Sequence, residues 1–425
     1  MIGRRVCLAA VVAAGVLPGA AVAQAPRACF VVVDRTGGQG RQVDVGGGYY
    51  RVFQGGGIWA HCRGQDTRWY SDSVAWYQDF DRFDMIGNVR FEDATVELTS
   101  ERAAYFLSDE RLDANGNAHL RNRATGSVLR GPTLTYYRRV AGIRDTTLLT
   151  AVRRPTIEYR SERDTAGAEP YIIIADRVQF RGNSAASAWG TVTIDRSDFH
   201  AVSDSATLDT EVGAGRLMSR AQITGGDSAG YTLAGRDVQF RLVLQSLTWV
   251  RAEGDASAVS AEWQVTADTV AFDVRDDRIQ AGQAWGVDSV QPRATSTSNT
   301  ITADSLAIDA PGQVLREVRG IGDARAMSLR DSLDTDADWV AGDTVVAAFG
   351  AADDGGSLLG GIVAVGRARA RYRIYPETAP EGPPDLSYSR GDRITALFAD
   401  NQLVRVDIVG ASDGVYLEAQ RRRQP

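Results

Sequence analysis

The chain has 425 residues, 44% hydrophobic and 24% charged, enough apolar material for one long packed body or two to three globular domains. A net charge of −7 excludes the basic face that a general nucleic-acid binder needs. Every basic residue is Arg, which reads as the bias of a GC-rich genome more than as selection for bidentate phosphate contacts.

The first 23 residues have the order of a secretory signal. Arg4 and Arg5 precede an apolar run over 6–17, Pro18-Gly19 breaks it, and Ala21-Val22-Ala23 sets cleavage before Gln24. The run is too short for a permanent membrane span, and no later stretch reaches that length. The expected mature protein is therefore exported and free of a transmembrane segment. Cys7 leaves with the signal. Cys29 and Cys62 remain, and in an oxidising compartment two cysteines suggest one disulfide. A metal pair would need two more ligands where only His61 lies nearby.

From about residue 58 one phrase recurs: a small residue, an Asp or near-equivalent, an alternating apolar run, a break, a second run, then Gly. The best copies begin at Tyr70, Ile172, Val265, Ile301 and Arg390, with weaker ones near Leu98, Leu129, Ala201, Leu233 and Val340. A period of roughly 28 to 49 residues belongs to stacked repeat architectures. Within each copy the apolar spacing is two, as in Val270, Phe272 and Val274, or Leu306 and Ile308, which predicts strands with one buried face. Gly87-Asn88, Asn115-Gly116-Asn117 and Gly225-Gly226 read as hairpin turns. The expectation is an all-β, elongated stack of about twenty short antiparallel strands in two facing sheets, each sheet taking one strand per unit. The signal would be followed by a first module over 24–165 and further repeats over 166–425. Pro376, Pro380, Pro383 and Pro384 mark a Pro-rich loop at 375–388, and the tail 421–425 is expected to fray.

The recurrent acids Asp72, Asp176, Asp204, Asp237, Asp268, Asp304, Asp343 and Asp392 read as caps of strand-opening turns. Calcium coordination would need several oxygens per turn, where each unit offers one. His61, His119 and His200 are far apart, no Ser lies in a G-x-S-x-G context, and the glycine runs 46–48 and 55–57 lack the Lys and helix of a phosphate loop. The sequence thus gives no reason to expect catalysis, a metal or a cofactor. The alternating faces, Phe83, Met85, Val89 and Phe91 among them, would stack into a continuous apolar strip. That strip is plain core if the sheets close, and an elongated groove if they splay.

Three phrases between residues 58 and 159 carry a family resemblance: WYSDSVAWYQDFDRFDMIGNVRF, LTSERAAYFLSDERLDANGNAHLRN and LRGPTLTYY, with a similar closing phrase from Arg390. They resemble the OstA-like lipopolysaccharide-transport family, the organic-solvent-tolerance proteins of the Gram-negative periplasm. The resemblance implies a V-shaped β-jellyroll that carries lipid acyl chains between its layers and stacks end to end as a bridge towards the outer membrane. Groove positions would then be Trp76, Phe83, Met85, Phe91, Phe106, Leu134, Tyr136, Val178, Phe180, Phe240, Val270, Phe272, Leu306 and Ile308. Arg123, Arg130, Arg138 and Arg139 at the rim could meet lipid phosphates, against the plainer reading of a solvated Arg face. Partners would be lipopolysaccharide or a related glycolipid, and a sister module or outer-membrane barrel joined through exposed strand edges. The rival reading is a structural or adhesive β-solenoid with a closed core.

Overall fold

The computed structural model describes residues 29–160, 169–225, 230–244, 246–287, 290–329, 336–351, 357–375, 382–399 and 402–419. The expected signal and the Arg-rich tail lie outside them. The described residues form twenty-eight strands in one hydrogen-bonded sheet, antiparallel at every pairing. The only helical segments among the described residues are the short 3-10 turns Gln78–Phe80 and Pro311–Gln313. The all-β expectation holds, but the two facing sheets are halves of a single sheet folded along a crease. Six traverses are interrupted at that crease, so the 28 strands make 22 traverses, each feeding both layers.

The fold-over is visible in the strands Arg82–Glu92 and Val96–Phe106. Phe83 pairs with Tyr105, and Phe91 pairs with Leu98. Eight residues of flat strand would hold Phe91 about 26 Å from the Phe83–Tyr105 rung. The Phe91 and Tyr105 rings are instead 6.1 Å apart. Trp69, the cross-strand partner of Phe91, likewise lies 5.4 Å from Tyr105 and 6.3 Å from Phe83. The layer containing Trp69, Phe91, Leu98 and Leu120 (the front layer) therefore packs directly on the layer containing Phe83, Met85, Tyr105 and Leu112 (the back layer), and their inward side chains form one apolar cluster.

The crease is built by the repeated phrase itself. Gly87 and Asn88 together oppose the single residue Glu101, an extra-residue bulge that bends the strand. Both have positive φ, 80° and 47°. A Cβ at Gly87 would meet the Asp72 carboxylate at 2.5 Å, so the position requires glycine twice over. Asn88 Nδ2 donates to Asp72 at 2.8 Å. The same seating of an acid on a bulge glycine recurs at Glu101 with Gly116, Asp176 with Gly190, Asp304 with Gly322, Asp343 with Gly366, and Asp392 with Gly410. Where the second bulge residue is Arg, as at Arg220 and Arg367, it pairs with Asp204 and Asp343. The small residue before each acid faces into the angle of the fold, where no larger side chain fits: Ser71, Ala175, Ser203, Ala267 and Ala303 are all buried. The Ser71 and Ser203 hydroxyls donate to the carbonyls of Ser73 and Ser205, two residues on, at 3.0 and 2.9 Å.

Two expectations are corrected here. Gly87-Asn88 and Gly116-Asn117 are mid-strand bulges and not hairpin turns, and the recurrent Asp residues brace the crease from outside and do not cap strand-opening turns. Asp237 lies one residue past the crease and pairs with Arg216 at 3.0 Å. The strands are correspondingly longer than expected, reaching 18 residues in Ser357–Ile374. The sheet also runs unbroken across residue 165, with Ile157 paired to Ile173. Of the Pro-rich loop, 376–381 lie outside the described residues, and 385–388 belong to the strand Asp385–Ala399. The expected disulfide joins Cys29 to Cys62, both buried, tying the start of the described chain to the end of the strand Tyr49–Cys62. Closing a loop of that separation, 33 residues, contributes about 3–4 kcal/mol on the loop-entropy account.

Candidate functional site: the cleft between the layers

Opposite the crease, the hairpin tips of the two layers form two lips, and the space between is the cleft. Its character changes along the chain. In the first third it is filled. Trp76 stacks on Phe83 at 4.9 Å, Phe91 meets Tyr136 at 6.1 Å, and Met85, Leu98, Leu112 and Leu134 are fully buried between them.

The lips there are tied by a buried polar cluster. Arg138, on the back lip and only 7% exposed, donates through Nη1 to Glu110 at 2.7 Å and through Nη2 to Gln65 of the front lip at 3.0 Å. Its Nε lies 3.6 Å from the Asp93 carboxylate on the front lip. Tyr136 donates to Asp93 at 2.8 Å, Tyr105 donates to Glu110, and the Cys29 amide donates to Glu110 at 2.8 Å. Burial, then the neighbouring carboxylates, push both phenols far above the usual tyrosine range, so they act here as neutral donors.

Further along, the cleft opens. A small cavity of about 60 Å³ lies between Leu120, Leu129 and Tyr136 on one side and Leu149, Ile157, Tyr159 and Phe180 on another. It leads into one of about 240 Å³ that shares Ile157, Tyr159 and Phe180 and continues past Tyr171, Phe199, Leu208 and Phe240. A third, about 310 Å³, is lined by Tyr231, Trp263, Val265, Phe272, Ile279 and Ile308. Between the two larger cavities stands a wall that crosses the lips. Arg196 lies over the Tyr171 ring at 4.6 Å and pairs with Asp198 of the front lip at 2.5 Å, and Asp198 shares a hydrogen bond with Asp277 of the back lip, near Tyr231.

Burial, followed by the Asp198 charge, raises Asp277 above the ordinary carboxylate range. Burial works against the Asp198 carboxylate too, but its hydrogen bonds and the Arg196 charge outweigh it and hold Asp198 below that range. Another crossing, Asn122 to Asn183 at 2.9 Å, lies on the other side of the 240 Å³ cavity. Towards the C-terminus the layers close again on small residues, Ala326, Ala347, Ala364, Ala370 and Ala396, leaving a cavity of only about 20 Å³.

The sequence-derived positions divide accordingly. Phe83, Met85, Phe91, Leu134 and Tyr136 are buried in the filled third, with Trp76 packed against them; of these six only Tyr136 borders one of the cavities described above, that of about 60 Å³. Val178, Phe180 and Phe240 line the 240 Å³ cavity, and Phe272 and Ile308 line the 310 Å³ one. Val270 and Leu306 are core residues of the back layer. Phe106 is a correction: its neighbour Tyr105 faces inward, so Phe106 faces outward, where Arg111 stacks on it at 3.9 Å. Arg138 is a second correction, since a buried guanidinium bound to Glu110 is not offered to a phosphate. Arg123 is held by Glu92 and Glu97, and Arg130 by Glu158; Arg139 is exposed.

The residues not foreseen are Tyr159, Tyr171, Phe199, Tyr231 and Trp263, and the cross-lip group Arg196, Asp198 and Asp277. The rings at Phe199 and Tyr231 open alternating runs (Phe199, Ala201, Ser203 and Tyr231, Leu233), a parity signal readable from sequence. The cross-lip group had no such signal. Among the described residues no helix is long and apolar enough to cross a membrane. No protein-family model matches the chain, and no curated protein matches it either.

Proposed function

We propose that this protein is a periplasmic lipid-binding bridge component, which takes lipopolysaccharide-type acyl chains into the cleft between its layers and passes them towards the outer membrane. The reading is non-catalytic: binding and release are the whole of the work. The observation that carries it is the pair of apolar cavities of about 240 and 310 Å³ in a cleft that is filled in its first third and narrows to a cavity of about 20 Å³ towards the C-terminus. The resemblance of residues 58–159 to the OstA-like family supports the lipid class.

Magnitudes constrain how such a carrier works. Cavities that hold whole ligands run from about 300 to 1,000 Å³, so each chamber suits one alkyl chain and not a multi-chain glycolipid at once. Burying one chain of about a dozen carbons gains on the order of 10 kcal/mol gross. Part of that gain is spent parting the lips, which keeps binding reversible. Lipid would advance one chain at a time between chambers of similar lining. The rim arginines already paired to Glu92, Glu97 and Glu158 supply little for phosphates without first losing those partners.

The terminal traverses offer assembly edges. Among the described residues, Val31–Thr36 and Gly40–Gly46 pair on one side only, as do Gln402–Val409 and Asp413–Leu417. Val404, Val409, Val415, Tyr416 and Leu417 are exposed on the second of these edges. Such edges recruit further strands, here a sister module or the periplasmic domain of an outer-membrane barrel.

Photo-crosslinking tests the reading. A reactive residue at Phe180 or Phe272 should yield a lipid adduct in cells, and one at Phe91 should not. Absence of any adduct at Phe180 and Phe272 would sink it. That outcome would leave a structural, closed β-body, which the filled first third favours.

A further inference from the structure

Where the cleft is filled, rings cross it. Phe91 of the front layer meets Tyr105 and Tyr136 of the back layer, each at 6.1 Å. Its neighbours in its own layer, Trp69 and Leu98, are too large for it to lie over. Beneath the two larger cavities the rings lie down instead. One inward rung of the back layer runs Leu208, Gly215, Phe240, Val250, Phe272, Gly282, Ile308, each paired with the next on the neighbouring strand. Apart from Leu for Ile, the order of residue types is the same from either end. A Cβ on Gly215 would meet the Phe240 ring at 2.1 Å, and one on Gly282 would meet the Phe272 ring at 2.5 Å. Each ring therefore lies over a glycine of its own layer, turned away from the β-branched and fully buried Val250 between them. Phe240 and Leu208 line the 240 Å³ cavity, and Phe272 and Ile308 line the 310 Å³ one.

We propose that Gly215 and Gly282 are the size-determining residues of two matched sites, each taking one alkyl chain. The missing side chain lets the phenylalanine ring fold onto its own layer, so the volume that a crossing ring would fill stays free for ligand. The mirrored rung gives both sites the same apolar floor, and a chain meets near-equal contacts on either side of Val250. Neither glycine has a positive φ, so the close approach of the ring, and not the backbone, is what calls for glycine here. A methyl group at either position is accommodated by the far end of the ring, which swings up into the cavity above it. The inference rests on the lipid-binding reading and adds which residues set the capacity and that the capacity is two chains.

The test is calorimetric titration of the full, delipidated chain with palmitic acid. The native chain should bind two equivalents. Gly215→Ala and Gly282→Ala should each weaken one site by about tenfold and leave the other at native affinity. The double variants Gly215→Ala/Phe240→Leu and Gly282→Ala/Phe272→Leu should return to two equivalents, because a shorter side chain no longer rises into the cavity. That rescue separates a gauge from general damage to the fold, which a second core substitution would deepen. If the native chain binds palmitic acid with a stoichiometry other than two, if the glycine variants bind as the native chain does, or if the double variants are not rescued, the gauge is overturned and the lipid reading stands. If the native chain binds no palmitic acid, both fall.

Discussion

The first third of the cleft and its middle are made from the same hinge, the same alternation and the same antiparallel pairing, yet one is solid and the other hollow. The difference lies in what fills the space and what ties the lips. In the first third, Trp69, Phe83, Phe91, Tyr105 and Tyr136 interlock, and a buried Arg with two carboxylates and two phenols closes the mouth. In the middle, Ala186, Ala188 and Ala206 stand in the back layer where bulk would be needed, and the lips are joined at the Asn122–Asn183 and Asp198–Asp277 crossings. A folded sheet therefore sets no cavity by itself; side-chain volume and lip chemistry decide segment by segment.

The largest effect should come from the seal. Arg138→Met leaves Glu110, 0% exposed, and Asp93 without their counter-charge, and breaking a buried pair in this way costs about 3–5 kcal/mol. Denaturant unfolding should show the loss, and fluorescent fatty acid should gain access to the first third. A melting temperature unchanged from the native chain would mean the cluster is more hydrated than its burial implies. Next comes filling. Phe91→Ala should cost about 3–5 kcal/mol, as large-to-small changes in a packed core do, whereas Phe180→Ala, half-buried beside existing space, should cost about 1–2. Equal losses would erase the distinction between solid and hollow segments.

The hinge should behave alike in both regions. Gly87→Ala sets a Cβ against Asp72 at a φ of 80°, and Gly190→Ala does the same against Asp176 at 79°. Each should cost about 1–3 kcal/mol by strain. Asp72→Ala, which removes the Asn88 and Tyr70 hydrogen bonds at an exposed crease, should cost about 1 kcal/mol. Thermal melts of these variants separate a crease that is uniform from one that matters only where the cleft is filled.

How far this was legible varies by feature. The strands and their buried faces were readable because period two is a property of single strands: Phe83, Met85, Val89 and Phe91 all turn inward. The crease was not. Gly-Asn with positive φ serves a hairpin or a bulge equally, and only the pairing of Ile86 with Arg102 and Val89 with Ser100 distinguishes them. Phe106 was misplaced because ring chemistry was weighed above parity, and an outward ring can be covered by Arg111. Arg138 was misplaced because burial of a charge depends on partners from other hairpins, Glu110, Gln65 and Asp93, that nothing in its own strand announces. The hollow middle was invisible for a related reason: a cavity depends on which residue of one layer lies over which residue of the other.

The smallest effect concerns the wall between the chambers. Asp198 and Asp277 share a hydrogen bond across the lips, with Arg196 paired to Asp198, Asp276 beside Asp277, and the Tyr171 and Tyr231 rings below. Asp198, held low, contributes stability above the ordinary carboxylate value of about 4 and loses it as the pH falls through its folded pKa. Asp277, held high, contributes stability below about 4 and loses it as the pH rises through its folded pKa. The crossing is thus tightest between those two values, with Asp198 ionised and Asp277 carrying the shared proton, and it loosens towards neutrality. Both groups are only partly buried, so solvent screening should keep the effect on stability at or below about 1 kcal/mol. Asp277→Asn keeps a donor without the second charge, so the difference in stability between variant and native chain should widen in the variant's favour as pH rises from mild acid to neutral. A difference that stays flat across that range would mean the two carboxylates do not share a proton, and the wall would then rest on Arg196 and Tyr171 alone.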